Sequence, residues 1–325
     1  MLGKLRNYVA RGSIFLVTVA LVAGMAGCSP SPQHVEIQDW HDLDAIRNDL
    51  SGHHILMNDL DSNAAGYTEL ASPTANLGKG WQPIGAPANP FTGTFDGQGY
   101  EIRDLFANRP AERDVGLFGA VGEAVVIKDI SVVNADVTGQ WYVGSLVGTH
   151  YGTVSNSYST GNVTGEKYVG GLVGGSGGTA SNSYSAGSVT GNDFIGGLVG
   201  INTGNVSDSY STGSVTGNNF VGGLVGGSDG TVSNSYSTGA VIGNSDVGGL
   251  VGWNDGTVSN SFWNTGTSGQ AASAGGTGKI TEGMQDIDTF SGVGWNITAV
   301  ALNQTNPAYI WNIVNRVTYP FLSWQ

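Results

Sequence analysis

Cysteine is nearly absent from this chain. Its 325 residues hold one, Cys28, so no internal disulfide can form and the fold must rest on packing and hydrogen bonds. Charge is scarce too. Only 11% of residues are charged, with 12 Lys and Arg against 25 Asp and Glu, a formal charge of −13 at pH 7. So acidic and thinly charged a surface argues against nucleic acid as a partner. The repeated part of the chain also lacks helical periodicity, because its apolar residues recur at spacing two with Gly between them. What is abundant is glycine, 54 residues, with much Ser, Thr, Asn and Val. Branched and aromatic residues recur at fixed positions within that background, which a disordered tract would not require.

The N-terminus reads as an export signal. Lys4, Arg6 and Arg11 precede an apolar stretch, Ile14 to Ala23, too short to span a bilayer, and Ala26-Gly27 lead into Cys28. The run Val22-Ala23-Gly24-Met25-Ala26-Gly27-Cys28 resembles a bacterial lipobox, departing from it at Met25, where Leu is usual. That resemblance implies removal of residues 1–27 and lipidation of Cys28, with a linker to residue 34. An unpaired Cys in an exported protein calls for an explanation, and acyl chains on it would supply both the explanation and a stable membrane anchor. Export also removes three cations, leaving nine Lys and Arg against all 25 acids.

The fold is decided by a repeat. Val-Gly-(Gly/Ser)-Leu-Val-Gly begins at Val143, Val169, Val221 and Val247, with an Ile-led copy at Ile195, always 26 residues apart. Other columns keep the same register: Val154, Ala180, Val206, Val232 and Val258; Asn156, Asn182, Asp208, Asn234 and Asn260; Tyr158, Tyr184, Tyr210, Tyr236 and Phe262. Three short strands separated by Gly and Ser/Asn turns fit one unit. A single unit cannot bury its apolar side, whereas stacked units can, with equivalent residues about 4.8 Å apart. The expected fold is all-β, a parallel β-solenoid (a right-handed β-helix) of 26-residue rungs about 40 Å long with short helical caps at both ends.

Residues 35–138 are expected to form the N-terminal cap and irregular rungs, 139–268 the five repeats, and 269–325 the C-terminal cap. A helix is predicted over Asp39 to Leu50, with Asp39 as its N-cap, and a second short one through Met284, Ile287 and Phe290. Trp81, Trp295, Trp311 and Trp324 are expected in the cores of the caps. Alternation places Val154, Asn156 and Tyr158 inward, the Asn amides bonding along their column. It turns Ser155, Ser157, Ser159, Ser181, Ser183, Ser185, Ser207, Ser209, Ser211, Ser233, Ser235 and Ser237 outward as a flat hydroxyl array, the candidate binding face.

The five hexapeptide units resemble GLUG-motif repeats, found in bacterial surface proteins and in some immunoglobulin A peptidases. The segment Trp81-Gln82-Pro83-Ile84-Gly85 and then Phe91 to Ile102 resembles what precedes such repeats, and is similar to early rungs of pectate-lyase-type β-helices. The resemblance implies a surface-exposed, adhesin-like role.

Chemistry is hard to find. None of His34, His41, His53, His54 and His150 is followed by Glu, so the zinc motif His-Glu-x-x-His is missing. His150 falls in a turn and is expected to be solvated. Asp59, Asp61, Asp96 and Asp104 could converge in the early rungs, which leaves a polysaccharide lyase or hydrolase open. Ice binding by the serine array is a further alternative. The favoured expectation is a lipoprotein at the cell surface or outer membrane, with no catalytic residue, metal or cofactor. Cys28 would carry the membrane anchor, and the rod would meet an extracellular glycan or protein.

Overall fold

The computed structural model describes residues 34–325, which form one compact unit. The expected export signal and Cys28 lie outside the described residues.

The unit is a parallel β-solenoid. Each 26-residue rung contributes to four stacked sheets, here called columns a to d. In the second repeat these segments are Lys167–Gly170 (a), Val173–Ser176 (b), Thr179–Ser181 (c), and Tyr184–Ser185 with Ser188–Thr190 (d). Every segment pairs in parallel with its equivalent one rung away, for example Val173 with Val199 and Thr179 with Asn205. Column c is the longest, with nine strands from His34–Ile37 to Thr257–Ser259. Eight rises of about 4.8 Å give it a length near 38 Å.

The hexapeptide forms the corner between columns a and b. Val169, Leu172 and Val173 are fully buried, as are their counterparts in the neighbouring rungs, so each unit drives three aliphatic side chains into the interior. The glycine between column-a valine and the corner cannot be replaced, since a Cβ on Gly170 would run into the Val173 carbonyl and the Leu198 backbone of the next rung.

The corner between columns c and d is made differently, and it overturns the expected alternation. Asn156, Asn182, Asp208, Asn234 and Asn260 all adopt left-handed backbone, φ between 47° and 49°. Asn and Asp tolerate that region better than other side chains do. One left-handed residue reverses the in-out phase. Val154 therefore points in, but Tyr158 points out, and the two serines flanking Tyr158 point in.

Both ends carry the short helices expected of them, with differences of extent and placement. At the N-terminal end, Asp39 caps a helix as predicted, accepting from the His41 and Asp42 amides, but the helix covers only Trp40–Ala45 and tightens to a 3-10 turn over Ile46–Asn48. Trp40, Leu43, Ile46 and Trp81 are buried beneath it. At the other end, Thr277–Lys279 adds one strand to column d, and Ser273 accepts from the Leu250 and Val251 amides. Beyond it, helices Thr281–Met284 and Ile287–Ser291 and a small sheet of Ile297–Ala299, Trp311–Ile313 and Phe321–Leu322 turn back along the side of the rod. There they cover the outward tyrosines, forming a second apolar core of Tyr210, Tyr236, Phe262, Phe290, Trp295 and Trp311. Trp81, Trp295 and Trp311 are core residues as expected, while Trp324 stays partly exposed against Tyr158 and Tyr184.

Candidate functional site

The proposed serine face is mostly interior. Ser157, Ser159, Ser183, Ser185, Ser209, Ser211, Ser235 and Ser237 are buried; only Ser155, Ser181, Ser207 and Ser233 reach solvent in part. The buried serines hold the corner. Ser183 Oγ accepts from the Ser157 amide at 3.2 Å and donates to the Ser181 carbonyl at 2.7 Å, and the pattern repeats at Ser209, Ser235 and Ser261. These four hydroxyls each stitch one rung to the next, whereas Ser185 and Ser211 Oγ are buried without a partner. The hydroxyls that face water regularly are instead Thr164, Thr190 and Thr216 on column d.

The asparagine column bonds only in places. Asn156 donates to Asp129 at 2.9 Å, whereas Asn182 Oδ1 is buried without a partner. Asp208 sits beneath the returning segment and receives the Trp311 indole N–H at 3.4 Å; burial raises its pKa, opposed by that bond and by one from Asn234. His150 is no turn residue. It is completely buried at the end of a column-b strand, its Nδ1 paired with the Gly152 carbonyl, and burial holds its pKa down at about 4. Asn202 and Asn254 occupy the equivalent positions two and four rungs on and make the same contact to Gly204 and Gly256.

The early-rung acids do not converge. Asp96 pairs with Lys128 at 2.7 Å, Asp61 accepts from the Asn63 and Ala64 amides, Asp59 from the Glu101 amide, and Asp104 from the Asn134 amide group. Each carboxylate closes a turn or joins two rungs. Among the described residues no group of three His, Cys, Asp or Glu is close enough to hold a metal.

What column a presents was not anticipated. Tyr142, Tyr168, Phe194 and Phe220 stand immediately before successive hexapeptides, a column visible in the sequence at the same 26-residue spacing. All four have left-handed backbone, φ 54° to 58°, a conformation that bulky residues rarely adopt and that costs on the order of 1–3 kcal/mol each. Their rings project outward and stack with centroids 4.5 to 5.2 Å apart. Asp114 and Asp246 hold the same column, and the same backbone, at its two ends.

Tyr142, Tyr168 and Phe194 of this ladder form one wall of a trough of about 370 Å³. Its floor is the outward line Thr149, Gly175, Ile201, Gly227 and Trp253 of column b. Glycine is required at two of these positions because rings lie over them: a Cβ on Gly175 would come within 2.9 Å of the Tyr142 ring, and one on Gly227 within 2.6 Å of Phe194. Tyr151, 59% exposed, leans over Gly177 on the other side, with Thr203 and Asp229 beyond it. Trp253 closes the far end edge-on to Phe194. At the near end the trough opens into a basin where Thr149 donates to Asp114 at 2.6 Å; burial raises the Asp114 pKa, against the effect of that bond and of Arg113.

Comparison with known proteins agrees with the architecture. The family model described as the GLUG motif matches residues 139–164 and 195–216. Two of the five repeats thus match that motif. Two curated proteins are similar to part of the chain, a provisionally named Gly-rich membrane protein of Evansella cellulosilytica and halomucin of Haloquadratum walsbyi. The first is 33% identical over 154 residues, 46% of this chain; the second is 37% identical over 163 residues, 49% of it. These matches span only 17% and 2% of the relatives' own lengths. A crystal structure from Bacteroides ovatus, provisionally named an immunoglobulin A1 protease, superposes with a TM-score of 0.65 over 92% of this chain and 94% of its own at 19% identity. That likeness establishes a shared solenoid fold and speaks to nothing else.

Proposed function

We propose that this GLUG-repeat chain is a non-enzymatic module of the bacterial cell surface, anchored through acyl chains on Cys28, whose solenoid engages an extracellular glycan or protein. The observation that carries this reading is the contrast between two aromatic ladders. One is buried under the chain's own returning segment, and the other stands open along a rigid trough. A structural spacer has no need of an open aromatic wall built on strained backbone, whereas a recognition surface does. Support for a surface location comes from the name of the Evansella relative, and for the anchor from the sequence around Cys28. The acids that an enzyme in the early rungs would have needed are engaged in turns and ion pairs. Ice binding loses the serine array on which it depended.

Two measurements test the reading. Labelled palmitate should enter the wild-type protein, and Cys28→Ser should abolish labelling and release the protein from the membrane fraction. The mature protein should bind at least one cell-surface, glycan or matrix target in an array. An unlabelled wild type would remove the anchor, and silence across the array would remove the recognition role.

A further inference from the structure

We infer that the open trough between columns a and b binds a neutral oligosaccharide lying lengthwise along the rod, an assignment that rests on the recognition role proposed above. Four features lead there.

The trough is long rather than deep. It runs from Tyr142 and Tyr151 to Trp253, across four rises of about 4.8 Å, or roughly 19 Å. That suits a chain of several sugar rings better than a compact small molecule.

Its walls are mixed in a way that sugars match. A pyranose offers apolar C–H surface beside many hydroxyls, and the trough sets aromatic rings beside Thr203, Asp229 and the Thr149–Asp114 pair. The stacked ladder shows mainly ring edges, so the exposed Tyr151 on the opposite wall is the platform for a sugar face, with Trp253 closing the end against Phe194 and Phe220.

Among the residues that line the trough Asp229 is the one charged group, and in the basin Asp114 stands beside Arg113. Asp114 and Asp229 lie in or beside the trough, while nearby cations are engaged with rings: Arg113 over Trp141 and Tyr142, and Lys167 over Tyr168. A polyuronate or sulfated glycan would meet the carboxylate of Asp229, which has no ion-pair partner among the described residues.

The other ladder shows what a protein cover looks like. Trp295, Trp311 and Leu322 pack on the tyrosines there, and the buried Tyr236 hydroxyl donates to the Pro320 carbonyl at 2.5 Å. Such an apolar cover laid on the open trough would strip water from Asp229 and Thr203 without replacing its hydrogen bonds. A polyhydroxylated chain replaces them.

The test uses the full mature protein and isothermal titration with linear neutral hexasaccharides (gluco-, xylo- and manno-configured), a hexagalacturonate, and an aromatic-rich peptide copying residues 309–324. At least one neutral hexamer should bind, at least tenfold more tightly than the uronate and than its own disaccharide. Tyr151→Ala, at an exposed position where folding is not at stake, should weaken it at least tenfold, and Asp229→Lys should weaken it as well. Thr190→Ala on the opposite flank should leave it unchanged. Failure of every neutral hexamer overturns the proposal, as does preference for the uronate or the peptide, or binding indifferent to Tyr151→Ala. If array binding survives in Tyr151→Ala, the recognition role stands and this site falls; if the wild type binds nothing on the array, the role itself falls.

Discussion

Individual side chains decide more here than the repetitive sequence suggests. His150 is buried and uncharged, with a pKa near 4 against about 6.5 when unfolded. The unfolded chain therefore takes up a proton first as pH falls, and His150 costs stability progressively between about 6.5 and 4, on the order of 3 kcal/mol in full. His150→Asn, which copies Asn202, should fold normally and flatten the acid side of the stability curve in that window, read by urea denaturation at stepped pH. An unchanged pH profile would refute the burial argument. Asp208 has the opposite sign, its folded pKa raised, so its cost is present at neutral pH and fades as pH falls toward the ordinary carboxylate value. Asp208→Asn should accordingly be more stable than wild type at pH 7, with the two converging in acid. Neither residue could be placed from sequence. His150 and Asn202 share a column, yet the inward turn of that column depends on a corner that periodicity does not show.

At the scale of the rung, the two corners were unequally legible. The hexapeptide announced itself because its Val, Leu and Val are all interior and its glycines are sterically compelled. The Asn corner was visible as a column but not as a reversal of phase, since spacing-two alternation assumes unbroken extended backbone. One residue at φ near 48° is enough to bury four pairs of serines that alternation had turned outward. The correction is testable within a single rung. Ser209→Ala removes the acceptor of the Ser183 amide and should destabilise the protein by about 1–3 kcal/mol, because a buried N–H is left unpaired. Ser207→Ala, two residues away and half-exposed, should change stability by about 0.5 kcal/mol or less. Equal effects in thermal melts would restore the alternating model. The aromatic column before the hexapeptide was equally plain in the sequence. Its outward aim was not, because aromatic residues are poor candidates for left-handed backbone.

For the described unit as a whole, the short helices expected near both ends are present, but those at the C-terminal end belong to a brace along the side of the rod. The Tyr309 to Trp324 stretch was recognisable as apolar and β-rich, but no local signal says that it turns back against residues 100 positions earlier. Trp311 is the centre of that brace, in contact with Tyr210, Tyr236, Trp295 and Asp208. Trp311→Ala should cost about 3–5 kcal/mol in the brace. Hydrogen exchange should then rise across residues 281–325 while amides of Val199–Asn202 stay protected, because each rung depends chiefly on its neighbours. Simultaneous loss of protection throughout would show instead that brace and rungs form one cooperative unit.

The same return path bears on the order in which the chain assembles. Rung-to-rung bonds join residues 26 apart, so the solenoid can zip from any point once two turns have met. The bond from Gln325 to the Tyr210 hydroxyl, by contrast, closes a loop of 115 residues and needs its tyrosine column already stacked. Closing so large a loop is entropically slow. The brace is therefore expected to latch last, leaving both ladders transiently bare during folding. One of them is then sealed by the chain itself, and the other stays open in the finished molecule.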